Sequence, residues 1–394
     1  MCIYIDYRCW RALGDLSTVI FTLGLNQPSS DDDTPFWLSE TRKRVMGSAY
    51  NVDKQLATFL GRPPRLSWRF CNITLPLDIN FKEVVAEPSV RDLAISRLDA
   101  DGWSKTKSNS QAVWVRVALL MGPVRESILE LSLNQQVEDL PAKIEYGFIL
   151  DFWSKLPPFI QRLHDPSEVP GVEKSIYLQV HLDFIFNRFL LYRILSKRLN
   201  TWSPDLVKVS HEGLSEILLL VESRIRAMRI SGEISWVVTM PSFLAFQSTP
   251  LICIQKISYF GLPAAGVLSI ELIRRSSNQS VDTPSPSIES TMSFSRSQAI
   301  QDLSIFASYL QTIIQPHEGN YDICQQARGT IRRVLDFVLS PEAAQPVFPA
   351  MQSSATNLQT PNSSDVADIF LDYNYYITHL DNWQFELQSS LDML

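Results

Sequence analysis

The side chains that most often carry catalysis or metal binding are few in this 394-residue sequence and widely spaced. The five histidines, at positions 164, 181, 211, 317 and 379, include no i, i+4 pair, the helical spacing typical of metal ligands. The five cysteines, at positions 2, 9, 71, 253 and 324, include no C-x-x-C pair, so neither a zinc site nor a disulfide framework is indicated. Few, scattered cysteines favour a reducing compartment. We therefore predict no enzyme activity, no metal site and no cofactor.

Phosphate binding is a second chemistry to consider, because residues 41–70 are strongly basic. Asp53 is the only acid in this stretch, which carries seven basic residues: Arg42, Lys43, Arg44, Lys54, Arg62, Arg65 and Arg69. Such an excess of positive charge can attract nucleic acid. Half of it, however, lies on a helix with an apolar face, and arginines after a helix end commonly bond its free carbonyls. We therefore favour internal partners, with Arg62 and Asp53 as a candidate ion pair.

The helix within this stretch has clear start and stop signals. Ser39 is a suitable N-cap, and apolar residues then recur at helical spacing over about six turns. These residues are Val45, Met46, Ala49, Val52, Leu56, Phe59 and Leu60. Gly61 is expected to end the helix in the left-handed region, which glycine enters without a Cβ clash. Pro63 and Pro64 prevent a restart, so a stiff arm carrying Arg62 and Arg65 should follow.

Helical periodicity continues along the rest of the chain. Further helices are predicted at residues 4–25, 111–136, 138–156, 171–200, 204–230, 298–315 and 321–339, with more helical sequence up to Arg275. Gly122-Pro123 leaves open a kink or a split in the helix at 111–136. Residues 67–92, with prolines at 76 and 88, are predicted as an extended connection. The helix at 171–200 is apolar around most of its circumference, which places it in the centre of a bundle. Strand-like alternation is absent from the sequence. The predicted fold is all-α, a large irregular helical bundle with proline- and serine-rich loops and a flexible C-terminal tail.

Proline- and serine-rich segments give the predicted domain organisation. Residues 1–275 form a helical regulatory domain, 276–297 a flexible loop, and 298–340 further helices of the same domain. Residues 341–367 form a disordered linker, and 368–394 an acidic, aromatic C-terminal segment. Residues 234–255 carry no charge, but two prolines and several polar residues favour buried helices over a membrane span.

The net charge of −7 is concentrated in the tail, since eight acids and no lysine or arginine follow Arg333. Acids alternate with aromatic residues there, as in activation segments whose aromatic side chains bind a coactivator groove. Phe370, Trp383 and Phe385 are the candidate activation residues. The same spacing also fits a last helix packed on the bundle, so both alternatives stay open.

Several short motifs resemble, in order and spacing, the regulatory middle region of fungal zinc-cluster (six-cysteine) transcription factors. The motif residues are Arg42, Arg44, Tyr50, Asp53, Gly61, Arg62, Pro63, Pro64 and Pro76. Leu13-Gly14-Asp15 and Gly24-Leu25-Asn26 upstream, and Trp153, Leu156-Pro157-Pro158 and residues 176–199 downstream, are similar to the same region. The resemblance covers roughly residues 10–270. The family's six-cysteine DNA-binding module has no counterpart in the sequence, so we expect an N-terminally truncated member.

This resemblance implies a nuclear regulatory region that controls a pathway-specific gene set, in secondary metabolism or nutrient use. The implied partners are the transcription machinery or coactivators, and DNA only through the missing module; no membrane is implied. A homo-oligomer and a small-molecule effector both stay open. The alternative is a stand-alone helical protein-interaction module that modulates related transcription factors.

Overall fold

The computed structural model describes residues 7–28, 34–72, 74–106, 110, 112–133, 153–161, 172–199, 201–234, 257–278, 295–312 and 321–340. Over these residues the fold is all-α, as predicted. The helices are α1 (Tyr7–Thr22), α2 (Phe36–Leu60), α3 (Phe81–Val84), α4 (Pro88–Ser96), α5 (Ala112–Leu133), α6 (Pro158–Gln161), α7 (Val172–Leu199), α8 (Pro204–Ile234), α9 (Leu262–Asn278), α10 (Arg296–Thr312) and α11 (Tyr321–Leu339). Extended pairing in the described part is limited to one bridge, between Leu98 and Ser104.

The chain divides into two compact units, Ile3–Leu199 and Asn200–Leu394, the second including Met1–Cys2. The predicted single body over residues 1–275 and 298–340 stays a prediction, and each unit is described separately below.

In the unit Ile3–Leu199, α5 packs against both α2 and α7, and α1 packs against α2. Ile20, Met46, Tyr50, Leu66 and Leu119 form the centre of one buried apolar cluster that joins α1, α2 and α5. The α7 helix is buried along much of its length, as its apolar sequence predicts.

The crossing of α2 and α5 depends on two glycines, one on each helix. A Cβ built on Gly47 would lie 2.5 Å from Val115 Cγ1, and one built on Gly122 would lie 1.9 Å from Tyr50 Cε1. Neither position can accept a side chain unless the neighbouring helix moves, because interiors are packed without spare volume. The α5 helix runs through Pro123 as a single element, where the sequence left a kink or a split open.

The predicted extended connection over residues 67–92 is wrong in part, because it contains the short helix α3 and the start of α4. The first is stabilised by a capping box in which Asn80 and Glu83 satisfy each other's backbone N–H groups, and Pro88 begins the second. Both signals were present in the sequence. They were outweighed by the prolines at either end of the segment.

The unit Asn200–Leu394 is built on α8, which packs against α9 and α10, while α11 packs against α9 and α10. Its buried polar contacts include Asp302, which lies 3.2 Å from His211 Nε2 and accepts hydrogen bonds from Ser215 and Gln298. Burial acts to raise the pKa of Asp302, but these three contacts outweigh it and hold the pKa below its ordinary value.

Several predictions fall outside the described residues. These are most of the predicted helix 138–156, most of 276–297 and of the charge-free stretch 234–255, the linker 341–367, and the segment 368–394 with Phe370, Trp383 and Phe385. Within the part that the structure describes, no helix is long and apolar enough to cross a membrane.

Candidate functional site

The motif residues identified in the sequence lie on α2 and on the segments that follow it, and the buried face of α2 brings several of them together. Tyr50, Asp53 and Lys54 are each at most 2% exposed, and Met46 and Ala57 are buried beside them. Val45 and Val52, placed on the apolar face by the sequence, are 45% and 41% exposed. The predicted apolar face of α2 was therefore wrong by part of a turn. The face that packs against the rest of the unit Ile3–Leu199 carries the charged pair Asp53 and Lys54.

Lys54 is the centre of a buried charge network. Its ammonium lies 2.9 Å from Asp53 Oδ2 and 3.1 Å from Glu126 Oε2, and it donates to the Leu66 carbonyl. It also lies 4.2 Å from the centre of the Tyr50 ring. Two carboxylates therefore share one cation, which offsets the cost of burying all three charges.

Glu126, on α5, connects this network to Ser67 and Trp68, which follow the arginine arm, residues 62–65. It accepts hydrogen bonds from the Ser67 hydroxyl at 2.6 Å, the Trp68 N–H at 3.0 Å and the Tyr50 hydroxyl at 3.0 Å. Burial acts to raise the pKa of Glu126, but Ser67, Lys54 and the Trp68 N–H outweigh it and lower that pKa. The pKa of Tyr50 is raised, first by burial and then by the Glu126 charge.

Asp53 holds the same segment from the other side. Its two oxygens accept the backbone N–H groups of Arg65, at 2.9 Å, and Leu66, at 3.1 Å. Residues 65–68 are thus fastened to α2 and α5 by two carboxylates. Every carboxylate oxygen of Asp53 and Glu126 has a partner, which is typical of a structural network.

A second polar set fastens the segment around Pro76. Glu40, 1% exposed, accepts the Leu77 N–H at 2.8 Å, and Arg44 donates to the carbonyls of Leu77 and Ile79. Arg116, from α5, donates to the Pro76 carbonyl. Burial lowers the pKa of both arginines. The segment around Pro76 is therefore held in place by charged side chains of α2 and α5.

The end of α2 at Gly61 is confirmed. Gly61 has φ 59° and ψ 38°, and the N–H groups of Gly61 and Arg62 bond the carbonyls of Thr58 and Ala57. These two bonds form a Schellman motif, in which a left-handed residue satisfies the last carbonyls of a helix. The α1 helix ends in the same way at Gly24, whose φ is 62°.

The basic residues of the stretch 41–70 mostly have internal partners, as favoured from the sequence. Arg42 donates to the Leu23 carbonyl at 3.0 Å, Lys43 pairs with Glu40 at 2.7 Å, and Arg69 pairs with Glu130 at 3.3 Å. The candidate pair Arg62–Asp53 is wrong. Lys54 takes that place, because it lies on the buried face of α2 whereas Arg62 lies beyond the helix end, with its guanidinium over the Trp10 ring.

Four members of these networks were missed by the sequence reasoning: Glu40, Lys54, Arg116 and Glu126. The available signal was their position, since Lys54 follows Tyr50 by one helical turn and Glu126 follows Gly122 by one turn. Charged residues at core positions of a helix are uncommon unless they are paired.

Cavities and groups of metal ligands are the other kinds of candidate site in the described part of the chain. A cleft of about 210 Å³ is lined by Leu25, Gln27, Pro28, Ser39, Arg42, Lys43, Asn72 and Thr74. The two cationic side chains that line this cleft already have partners. Arg42 donates to the Leu23 carbonyl, and Lys43 donates to Glu40. Among the described residues, no group of three or more His, Cys, Asp and Glu side chains could hold a metal ion.

Comparison with known protein families gives a match over the N-terminal part of the chain. A family model described as the fungal specific transcription factor domain matches residues 1–115. This confirms the resemblance to the middle region of fungal zinc-cluster factors, and no zinc-cluster domain was detected. No curated protein and no solved structure matches the chain.

The residues matched by the family model include every motif residue from Arg42 to Pro76. The match ends within α5, before Glu126, although Glu126 completes the charge network of α2. The structural unit therefore continues beyond the matched residues. The wider extent of the resemblance, to about residue 270, stays a prediction.

Proposed function

We propose that this chain is the regulatory region of a fungal-type transcription regulator that acts in the nucleus on a pathway-specific gene set. The observation that carries the proposal is the fungal specific transcription factor domain at residues 1–115. Secondary metabolism and nutrient use are the two pathway classes that fit. DNA contact is proposed to come from a zinc-cluster module that these 394 residues do not include.

The charge network supports the proposal by giving the motif residues a physical role. Lys54, Asp53 and Glu126 fasten the arginine arm to α2 and α5, so the body is held in one arrangement. A regulatory body needs such a defined arrangement for an effector or partner to recognise. The motif residues are then positioning residues of the fold, and the surfaces they present carry recognition.

The experiment that tests this proposal tethers the full chain to an unrelated DNA-binding domain in a fungal host with a matching reporter. We expect reporter output to rise or fall relative to the DNA-binding domain alone. A tethered Gly122→Leu variant, in which α2 and α5 cannot pack, controls for nonspecific effects of fusion. Unchanged reporter output with an expressed, nuclear chain would contradict the proposal and favour the stand-alone interaction module.

The acidic C-terminal segment is proposed to contact the coactivators. Residues 361–394 fused to the same DNA-binding domain should activate the reporter, and changing Phe370, Trp383 and Phe385 to alanine should abolish that activation. The matched control changes Asn374 and Asn382 to alanine, since these polar neighbours add no apolar contact area. No activation above the DNA-binding domain alone would remove this segment from the proposal.

A further inference from the structure

Two guanidinium groups meet on one indole ring at the junction of α1 and the arginine arm. The Arg65 guanidinium carbon lies 4.5 Å from the centre of the Trp10 ring, and the Arg62 carbon lies 5.4 Å from it. Trp10 and Arg62 are partly exposed, and Arg65 is exposed. We call these three residues the Trp10 patch.

The Trp10 patch is held in place by backbone contacts as well as by the ring. The Arg62 N–H bonds the Ala57 carbonyl at 3.0 Å, and the Arg65 N–H bonds Asp53 at 2.9 Å. Pro63 and Pro64 fix the backbone dihedrals between them. A Cβ built on Gly14 would lie 3.3 Å from the Arg65 guanidinium, so the side chain lies against bare backbone of α1. The guanidinium groups of Arg62 and Arg65 are therefore held in position before a ligand binds. This reduces the conformational entropy that is lost on binding.

The charges of the Trp10 patch are unbalanced. Within the described part of the chain, neither Arg62 nor Arg65 forms a salt bridge or a side-chain hydrogen bond, whereas Arg69, Arg91 and Arg97 each pair with a carboxylate. Arginine forks bond carboxylates in bidentate geometry, and tryptophan and arginine are the residues most enriched at interface hot spots.

We propose that the Trp10 patch is a docking surface for an acidic peptide segment of a partner protein. The guanidinium groups of Arg62 and Arg65 bond carboxylates of the segment, and the exposed part of the Trp10 ring packs against its apolar atoms. Charge complementarity selects this occupant, because the patch supplies two cations that form no ion pair with any residue the structure describes. Such an interface weakens steeply with salt.

The test uses the full chain and a short fluorescein-labelled poly-glutamate peptide, with fluorescence anisotropy at low ionic strength. We expect saturable binding that is about tenfold or more weaker in the Arg62→Gln/Arg65→Gln variant, since each charge-assisted bond contributes at least that factor. The matched control is Arg91→Gln/Arg97→Gln, which removes the same charge from α4 and its end. It should bind like the parent.

Two further variants keep the result interpretable. Arg62→Lys/Arg65→Lys retains the charge but loses the planar fork, and should bind more weakly than the parent. Equal loss in the Gln variant and in the Arg91/Arg97 control would overturn the proposal, since it would indicate nonspecific attraction. Absence of binding by the parent would also overturn it. If binding appeared only after the six acids of residues 365–394 were neutralised, the occupant would be the chain's own tail, and the proposed partner would be wrong.

Discussion

The Tyr50 ring fills the space that a side chain at position 122 would need, because a Cβ on Gly122 would lie 1.9 Å from Tyr50 Cε1. Tyr50 is fully buried and donates its hydroxyl to Glu126, so it cannot move aside without breaking the charge network. The contact therefore sets how closely α2 and α5 approach.

The first prediction is that Gly122→Ala destabilises the unit Ile3–Leu199 by about 3 kcal/mol, at the upper end of the usual cost of overpacking. Urea denaturation followed by circular dichroism measures the change. The matched control is Gly329→Ala on α11, where a Cβ would meet nothing within 4 Å. Helix propensity alone should make the control more stable by about 0.5–1 kcal/mol. Equal stability of the Gly122 variant and the parent would mean that the two helices can separate at no cost.

A local rule in the sequence was enough to predict the end of α2 at Gly61, because a Schellman motif depends only on neighbouring residues. The predicted start was wrong, since α2 begins at Phe36 and its N-cap is Pro35 and not Ser39. The buried face of α2 could not be predicted in the same way. Lys54 is buried because Glu126, far along the chain, supplies its counter-charge, and no local pattern records that contact. The position of Val45 and Val52 at helical spacing then favoured the wrong face.

The second prediction concerns the shared cation of the network. Lys54→Met leaves Asp53 and Glu126 buried without their cation, and should cost about 3–5 kcal/mol of unfolding free energy. The matched control is Arg69→Met, which breaks an exposed pair with Glu130 and should cost less than about 1 kcal/mol.

Adding Glu126→Gln to the Lys54→Met variant tests whether the two residues are coupled. The double variant should be less destabilised than the sum of the single variants, because residues in one charged network do not act additively. Simple additivity in this cycle would show that Lys54 and Glu126 stabilise the fold independently.

The third prediction concerns acid. The folded-state pKa of Glu126 lies below its unfolded value of 4.5, so its contribution to stability is present above pH 4.5 and lost as pH falls through the folded pKa. Glu126→Gln should therefore flatten the loss of stability of the unit Ile3–Leu199 below pH 4.5. Urea denaturation midpoints measured across this pH range check this prediction. The control is Glu130→Gln, which removes an exposed carboxylate from the same helix. An unchanged pH profile in the Glu126 variant would contradict the role of its carboxylate.

The fourth prediction separates the contributions of two neighbouring residues at the end of α2, Gly61 and Arg62. With Asp53 paired to Lys54, removal of the Arg62 side chain leaves no buried charge, so Arg62→Ala should cost less than about 1 kcal/mol, the usual value of a partly exposed cation–π contact. Gly61→Val places a β-branched residue at φ 59° and should cost about 1–3 kcal/mol. Thermal melts of both variants, with Gly61→Asn as a control that tolerates the left-handed region, measure the order. A larger loss for Arg62→Ala than for Gly61→Val would mean that Arg62, and not the backbone at Gly61, holds the arm in place.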